Sequence, residues 1–241
     1  MSIEPKRRIF VALDTTDLVS ALELARSLHP HVGGMKVGKE FFTALGPEGT
    51  EKIVAEGMPL FLDLKFHDIP NTVAGAVRSA MRLKPAIINV HASGGRAMMT
   101  AAAAAAKEES DRLGQPAPII LGVTLLTSMD ESDLNDTGVQ GGAEDQVMRL
   151  ASLAHESGLD GVVCSAAEIE PLRALLGPDF KLLTPGIRPT WAAAGDQKRV
   201  VTPADAVKRG SDYLVIGRPI TGADDPVAAA KRIGRELADA R

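Results

Sequence analysis

A single cysteine in 241 residues, Cys164, excludes an internal disulfide and suggests a reducing compartment. It sits in the apolar run Gly161-Val162-Val163-Cys164 and reads as a packed side chain, not a nucleophile. No apolar stretch reaches the roughly 20 residues a membrane-spanning helix needs. The basic Lys6-Arg7-Arg8 leads into a short run ending at Asp14, not into a small-residue cleavage site. Basic residues are scattered and outnumbered, 27 against 31 acidic, for a net charge of -4, so the chain lacks the electrostatic footprint of a nucleic-acid binder. These absences predict a soluble, cytoplasmic protein with neither a nucleic-acid nor a membrane partner. Aromatic residues make up only 3%, and the one tryptophan, Trp191, falls on a long loop where it is expected to pack as part of a lid or a partner contact.

What is present is a recurrence of short apolar runs bounded by glycine, proline or charge: 8–14, 34–38, 59–65, 86–92, 118–126, 159–165, 180–186 and 213–218. Their nearly continuous apolar character suits strands covered on both faces. Helical patterns lie between them, such as 17–28, 72–83, 143–157, 167–176 and 203–209, and the alanine run 101–106 reads as a helix able to lie close to a sheet. Asp17, Ser165 and Thr202 are expected N-caps, with Pro203 suited to a first helical turn. Eight βα units without a Pro/Gly/Ser-rich linker predict a single (β/α)8 TIM barrel over residues 1–241. A doubly wound sheet usually carries a Gly-rich first βα turn, and here that turn is Asp14-Thr15-Thr16-Asp17.

In such a barrel the C-terminal strand ends build the active site, and polar residues gather there. Strand one ends in Asp14, strand two carries Lys36, and strand three carries Asp63 and Lys65, two apart and so on one face of a strand. Buried charges cost several kcal/mol each unless paired, so this segment is either a strand-end salt bridge or a site for chemistry. With Asp68 these residues would form an alternating set of three carboxylates and two ammoniums around one mouth. At about 4 Å and an effective dielectric of 20, each neighbouring pair is worth about 4 kcal/mol. Such coupling suits Lys65 as a charged, oriented proton donor and argues against an imine-forming lysine. Strands seven and eight run into Gly186-Ile187-Arg188 and Gly217-Arg218, at the loops where barrels often bind phosphate. His91 at the end of strand four is either a backbone-bonded histidine or a site residue, without a ligand-spaced partner that would suggest a metal. His67 either orients Asp68 or faces solvent.

The strings VALD, MKVG, FLDLKFHDIPNT, NVHASGG, VTLLTS, TPGIR, GDQKR and YLVIGRPI, in that order over essentially the whole chain, resemble the orotidine 5'-phosphate decarboxylase family. The D-x-K-x-x-D pattern alone is shared by related sugar-phosphate barrels, whereas the long third string with PGIR and GRPI is specific. The resemblance implies loss of CO2 from C6 of orotidine 5'-phosphate (OMP) to give UMP, the last step of UMP synthesis, without cofactor or metal. It implies that Lys65 stabilises and protonates the C6 carbanion, that Asp63 lies near the departing carboxylate, and that Asp68 and Thr72 reach the site from the neighbouring subunit of a homodimer. Asp14 and Lys36 are assigned by it to the ribose hydroxyls and the charge network, and Thr127 to the pyrimidine edge, although Thr124 lies close by. Arg188, Gly217 and Arg218 would grip the phosphate, and Gln197 would bridge phosphate and base. Rival readings are a metal-dependent phosphosugar lyase or synthase, a silent phosphate-ligand binder, and an imine-forming aldolase.

Overall fold

The computed structural model describes residues 3–192 and 201–240. Eight parallel strands close into one barrel in sequence order: β1 (Ile9–Leu13), β2 (Gly34–Gly38), β3 (Leu60–Phe66), β4 (Ile87–His91), β5 (Ile119–Val123), β6 (Gly161–Val163), β7 (Lys181–Thr184) and β8 (Tyr213–Ile216). The (β/α)8 fold expected from the alternation is therefore present. Each strand lies within one of the eight apolar runs, apart from β3, which extends one residue beyond its run to Phe66. Residues alternate across each strand. Ile9, Val11 and Leu13 pack outwards with the helices, whereas Phe10 and Ala12 join Phe61, Ile87, Leu121, Val163, Leu183 and Val215 in a separate interior cluster. At the N-terminal end Phe10 meets Phe61 and Tyr213 edge-on, with centroids 6.2 and 5.8 Å apart.

The helices around the barrel are α1 (Leu18–Leu28), α2 (Lys39–Ala55), α3 (Pro70–Ala80), α4 (Gly95–Leu113), α5 (Glu131–Asp136), α6 (Ala143–Glu156), α7 (Ile169–Leu176), α8 (Pro203–Arg209), α9 (Arg218–Thr221) and α10 (Pro226–Asp239). The alanine run lies inside α4, where Ala102, Ala105 and Ala106 are buried. Two of the three expected N-caps form: Asp17 accepts from the Val19 N–H, and Thr202 from the Asp205 N–H. Ser165 does not cap a helix. Its N–H donates to Glu168 Oε2 at 2.7 Å, a turn intervenes, and α7 begins only at Ile169. In α2 the helix is broken at Gly46, whose φ of 62° precedes Pro47, and the interrupted periodicity hid it from a pattern search.

Regular pairing fails at one place in the barrel. Between β3 and β4 the register runs Leu62↔Ile88 and then Phe66↔Val90, so four residues of β3 are set against two of β4. Within this bulge Lys65 has φ 52°, a left-handed conformation that costs a non-glycine residue about 1–3 kcal/mol. Bulges re-aim side chains next to active sites, and this one carries the lysine singled out from the sequence.

Candidate active site

The C-terminal mouth collects the charged residues into a chain of alternating sign. Asp14, immediately after β1, meets Lys36 of β2, with Nζ 3.2 Å from Oδ1. Lys36 Nζ lies 3.4 Å from Asp63 Oδ2, and Asp63 Oδ1 lies 2.5 Å from Lys65 Nζ. Asp63 thus holds one ammonium on each oxygen. Lys36 and Asp63 are buried at 7% and 9% exposure, where an unpaired charge would cost several kcal/mol. Gly38 ends β2 beside them, and a Cβ there would stand 2.8 Å from Lys36 Nζ and displace it.

Asn89 of β4, fully buried, also serves this cluster. Its Nδ2 donates to Asp63 Oδ1 at 2.7 Å and its Oδ1 accepts the Lys65 N–H at 2.8 Å. Sequence reasoning passed over it, because it lies inside an apolar run. The signal that could have found it is its place on the inward face of β4, two residues after Ile87, where an amide needs polar partners.

A cavity of about 240 Å³ joins this array to the two arginines. Asp14, Lys36, Asp63 and Lys65 line one side, Arg188, Gly217 and Arg218 another, and Ala12, Phe61, Val163, Leu183, Pro185 and Val215 supply apolar walls. Arg188 follows Gly186, whose φ of 76° turns the chain at the end of β7, and the Arg188 N–H donates to Val201 O at 3.1 Å. The Arg188 side chain is only 5% exposed, while Arg218 opens α9 just after Gly217 and is exposed. Two guanidiniums beside glycines at the strand ends have the charge and the donors to take a dianionic group such as phosphate. A contiguous opening is lined by both arginines and Trp191. The Trp191 ring packs under the Arg232 guanidinium of α10, 4.7 Å from its centroid, so within the chain it is tied to the C-terminal helix.

Other expected residues lie outside this cavity. Asp68 does not join the charged cluster within its own chain: it is exposed, its Oδ1 accepts the Ile69 N–H at 2.7 Å, and among the described residues no ion pair reaches it. The alternating set within one chain therefore has four members, because the chain turns outward after β3 to start α3. Thr72, in the first turn of α3, is exposed beside Ile69, which is 67% exposed. Thr127 is exposed in the loop after β5, whereas the neighbouring Thr124 is buried and donates to Val163 O at 3.1 Å, a structural bond. Gln197 lies outside the described residues.

The His91 ring lies 5.3 Å from that of His67. Burial, aided by the nearby charges of His67, Lys39 and Lys65, depresses His91 to about 4, so it is neutral at neutral pH. Cys164 is buried, and burial pushes its thiol far above the ordinary range, which removes it as a nucleophile. Among the described residues no three His, Cys, Asp or Glu side chains gather in a way that could hold a metal ion, and no helix is long and apolar enough to cross a membrane.

Residues 7–233 match the family described as orotidine 5'-phosphate decarboxylase / HUMPS. Curated relatives include the orotidine 5'-phosphate decarboxylases of Rhodospirillum rubrum, 59% identical over 95% of this chain and 93% of the relative, and of Moorella thermoacetica, 53% identical over 96% and 92%. Among solved structures, the orotidine 5'-phosphate decarboxylase of Lactobacillus acidophilus superposes with a TM-score of 0.85 at 37% identity, covering 96% of this chain and 99% of the other. That of Pyrococcus horikoshii gives 0.76 at 27% identity over 95% and 99%. The closed barrel, the Asp63–Lys65 array and the paired arginines thus occur in a chain that belongs to the orotidine 5'-phosphate decarboxylase family.

Proposed function

We propose that this chain is a carboxy-lyase that converts OMP to UMP and CO2 in pyrimidine biosynthesis, working as one cytoplasmic catalytic domain over residues 1–241. The observation that carries the reading is the buried lysine–carboxylate array facing two arginines across a single cavity. Arg188, Arg218 and the Gly217 backbone hold the phosphate, Asp14 and Lys36 meet the ribose hydroxyls, and the base lies with C6 towards Lys65. The C6–carboxylate bond breaks and its electron pair stays on C6, an sp² carbon from which the ring delocalises charge poorly. The Lys65 ammonium faces that pair, lowers its energy and donates a proton to C6, and the resulting amine regains its proton from solvent. Asp63 sits beside the departing carboxylate and keeps Lys65 oriented. Every step is a proton transfer or a bond cleavage that these side chains support, without metal or cofactor.

The rest of substrate recognition belongs to the same proposal. Thr127 borders the pyrimidine edge and Gln197 bridges phosphate and base. Two chains pair so that Asp68 and Thr72 of one complete the array of the other. The exposure of Asp68, Thr72 and the apolar Ile69 at the start of α3 supports this pairing, since a partner would cover them.

The test is an ultraviolet assay of OMP consumption with purified protein in EDTA, repeated with Lys65→Ala. Consumption with release of CO2, insensitive to EDTA and reduced by several orders of magnitude in the variant, is expected. Binding of UMP without turnover of OMP, or turnover abolished by EDTA, refutes the proposal.

A further inference from the structure

Asn89 has no solvent exposure, yet both ends of its carboxamide are engaged on the charged array. Its Oδ1 accepts the Lys65 N–H, and its Nδ2 donates to the same Asp63 oxygen that meets Lys65 Nζ. The bulge explains why an amide is needed at this point. With four residues of β3 set against two of β4, the Lys65 N–H leaves the regular ladder, and a buried N–H without a partner costs about 1–3 kcal/mol. Lys65 is moreover held at φ 52°, which persists only where the surroundings over-determine it. Asn89 spends its carbonyl oxygen and one amide N–H on different halves of the Asp63/Lys65 pair.

We infer that Asn89 is a positioning residue for the decarboxylation: it locks the Lys65 backbone in its left-handed conformation and turns the Asp63 carboxylate so that ammonium and carboxylate meet at the reacting carbon. This rests on the reading of Lys65 as the proton donor. Asn89 itself lies beneath the array and does not line the cavity, so it acts through Asp63 and Lys65 and not on the substrate.

The test compares Asn89→Ala, Asn89→Asp and Lys65→Ala for kcat, KM for OMP and Kd for UMP. Asn89→Ala is expected to lower kcat about 100-fold, the scale of an ångström-sized misplacement. KM and Kd stay within about threefold, because the arginine grip is untouched. Asn89→Asp keeps an acceptor for the Lys65 N–H but sets a second carboxyl against Asp63. Protonated, that carboxyl donates to Asp63 as the amide did; ionised, it repels it. The charged and titratable groups around it, Lys36, Asp63 and Lys65 from β2 and β3 and His91 from β4, are common to wild type and both Asn89 variants. The kcat of Asn89→Asp is therefore expected to recover as pH falls and to decline as pH rises, relative to both wild type and Asn89→Ala.

Three results overturn the inference: a kcat for Asn89→Ala within about threefold of wild type, an equal loss of kcat and UMP affinity, or an Asn89→Asp profile parallel to wild type. A Lys65→Ala enzyme with near-normal turnover instead removes the proton-donor reading. An inactive Lys65→Ala beside an unimpaired Asn89→Ala removes the inference alone.

Discussion

Asp63→Asn removes one charge from between two ammoniums while keeping the shape of the side chain. Its Oδ1 can still accept from Lys65 Nζ and Asn89 Nδ2, but the new amide nitrogen faces Lys36 Nζ, 3.4 Å from the present Oδ2, donor against donor. At an effective dielectric of 20 the Lys36 contact is worth about 5 kcal/mol and the Lys65 contact about 7 kcal/mol, before the desolvation recovered by losing a buried carboxylate. Removing one partner of a buried pair costs about 3–5 kcal/mol in practice, and that range applies to a group with only 9% exposure. At 2–4 °C per kcal/mol for a chain of this size, the Tm should fall by roughly 6–20 °C. Turnover should fall by at least two orders of magnitude, since Lys65 loses the anion that orients it. A thermal melt and the ultraviolet OMP assay read the two effects separately. A variant within about 2 °C of wild type in Tm would show that the array is not held by its alternating charges.

Arg218→Ala should depress kcat as well as weaken OMP binding, because energy from the non-reacting phosphate is used to orient the reacting carbon; a raised KM with unaltered kcat would contradict this. Mixing Asp68→Ala with Lys65→Ala chains, each inactive alone, should restore about a quarter of wild-type activity, since half of randomly formed dimers then hold one intact site of two. No recovery on mixing would rule out shared sites. His91 is depressed from its usual 6.5 to about 4, so the unfolded chain binds the extra proton first and stability should fall as pH drops from 6.5 towards 4. His91→Gln should flatten that slope in denaturant titrations at pH 7 and pH 5, and an unchanged slope would place its origin elsewhere.

The barrel was legible because parallel strands covered on both faces leave uninterrupted apolar runs, and the interior residues of β1 and β3 follow a strict period of two. The same period misleads at Lys65. Asp63-Leu64-Lys65 reads as a regular strand, and only the register against β4 reveals the bulge and the left-handed backbone. The two head groups do meet, but through a distorted strand. Asp68 was grouped with the cluster by its closeness in sequence, which says nothing about the outward turn that begins α3. Asn89 escaped notice because one amide in an apolar run becomes informative only once the N–H and carboxylate it satisfies are known.

Phe10, Phe61 and Tyr213, in one interior cluster with Ile87 and Leu121, fill the barrel below the cavity like the packed base of a vessel. On the function proposed above, CO2 freed beside Lys65 meets this packed floor on one side and the nucleotide on the other. Its way out would then run past the nucleotide, along the apolar wall of Val163, Leu183 and Val215. If gas and nucleotide share that exit, the order of their departure, and not chemistry alone, would bear on how soon the next turnover begins.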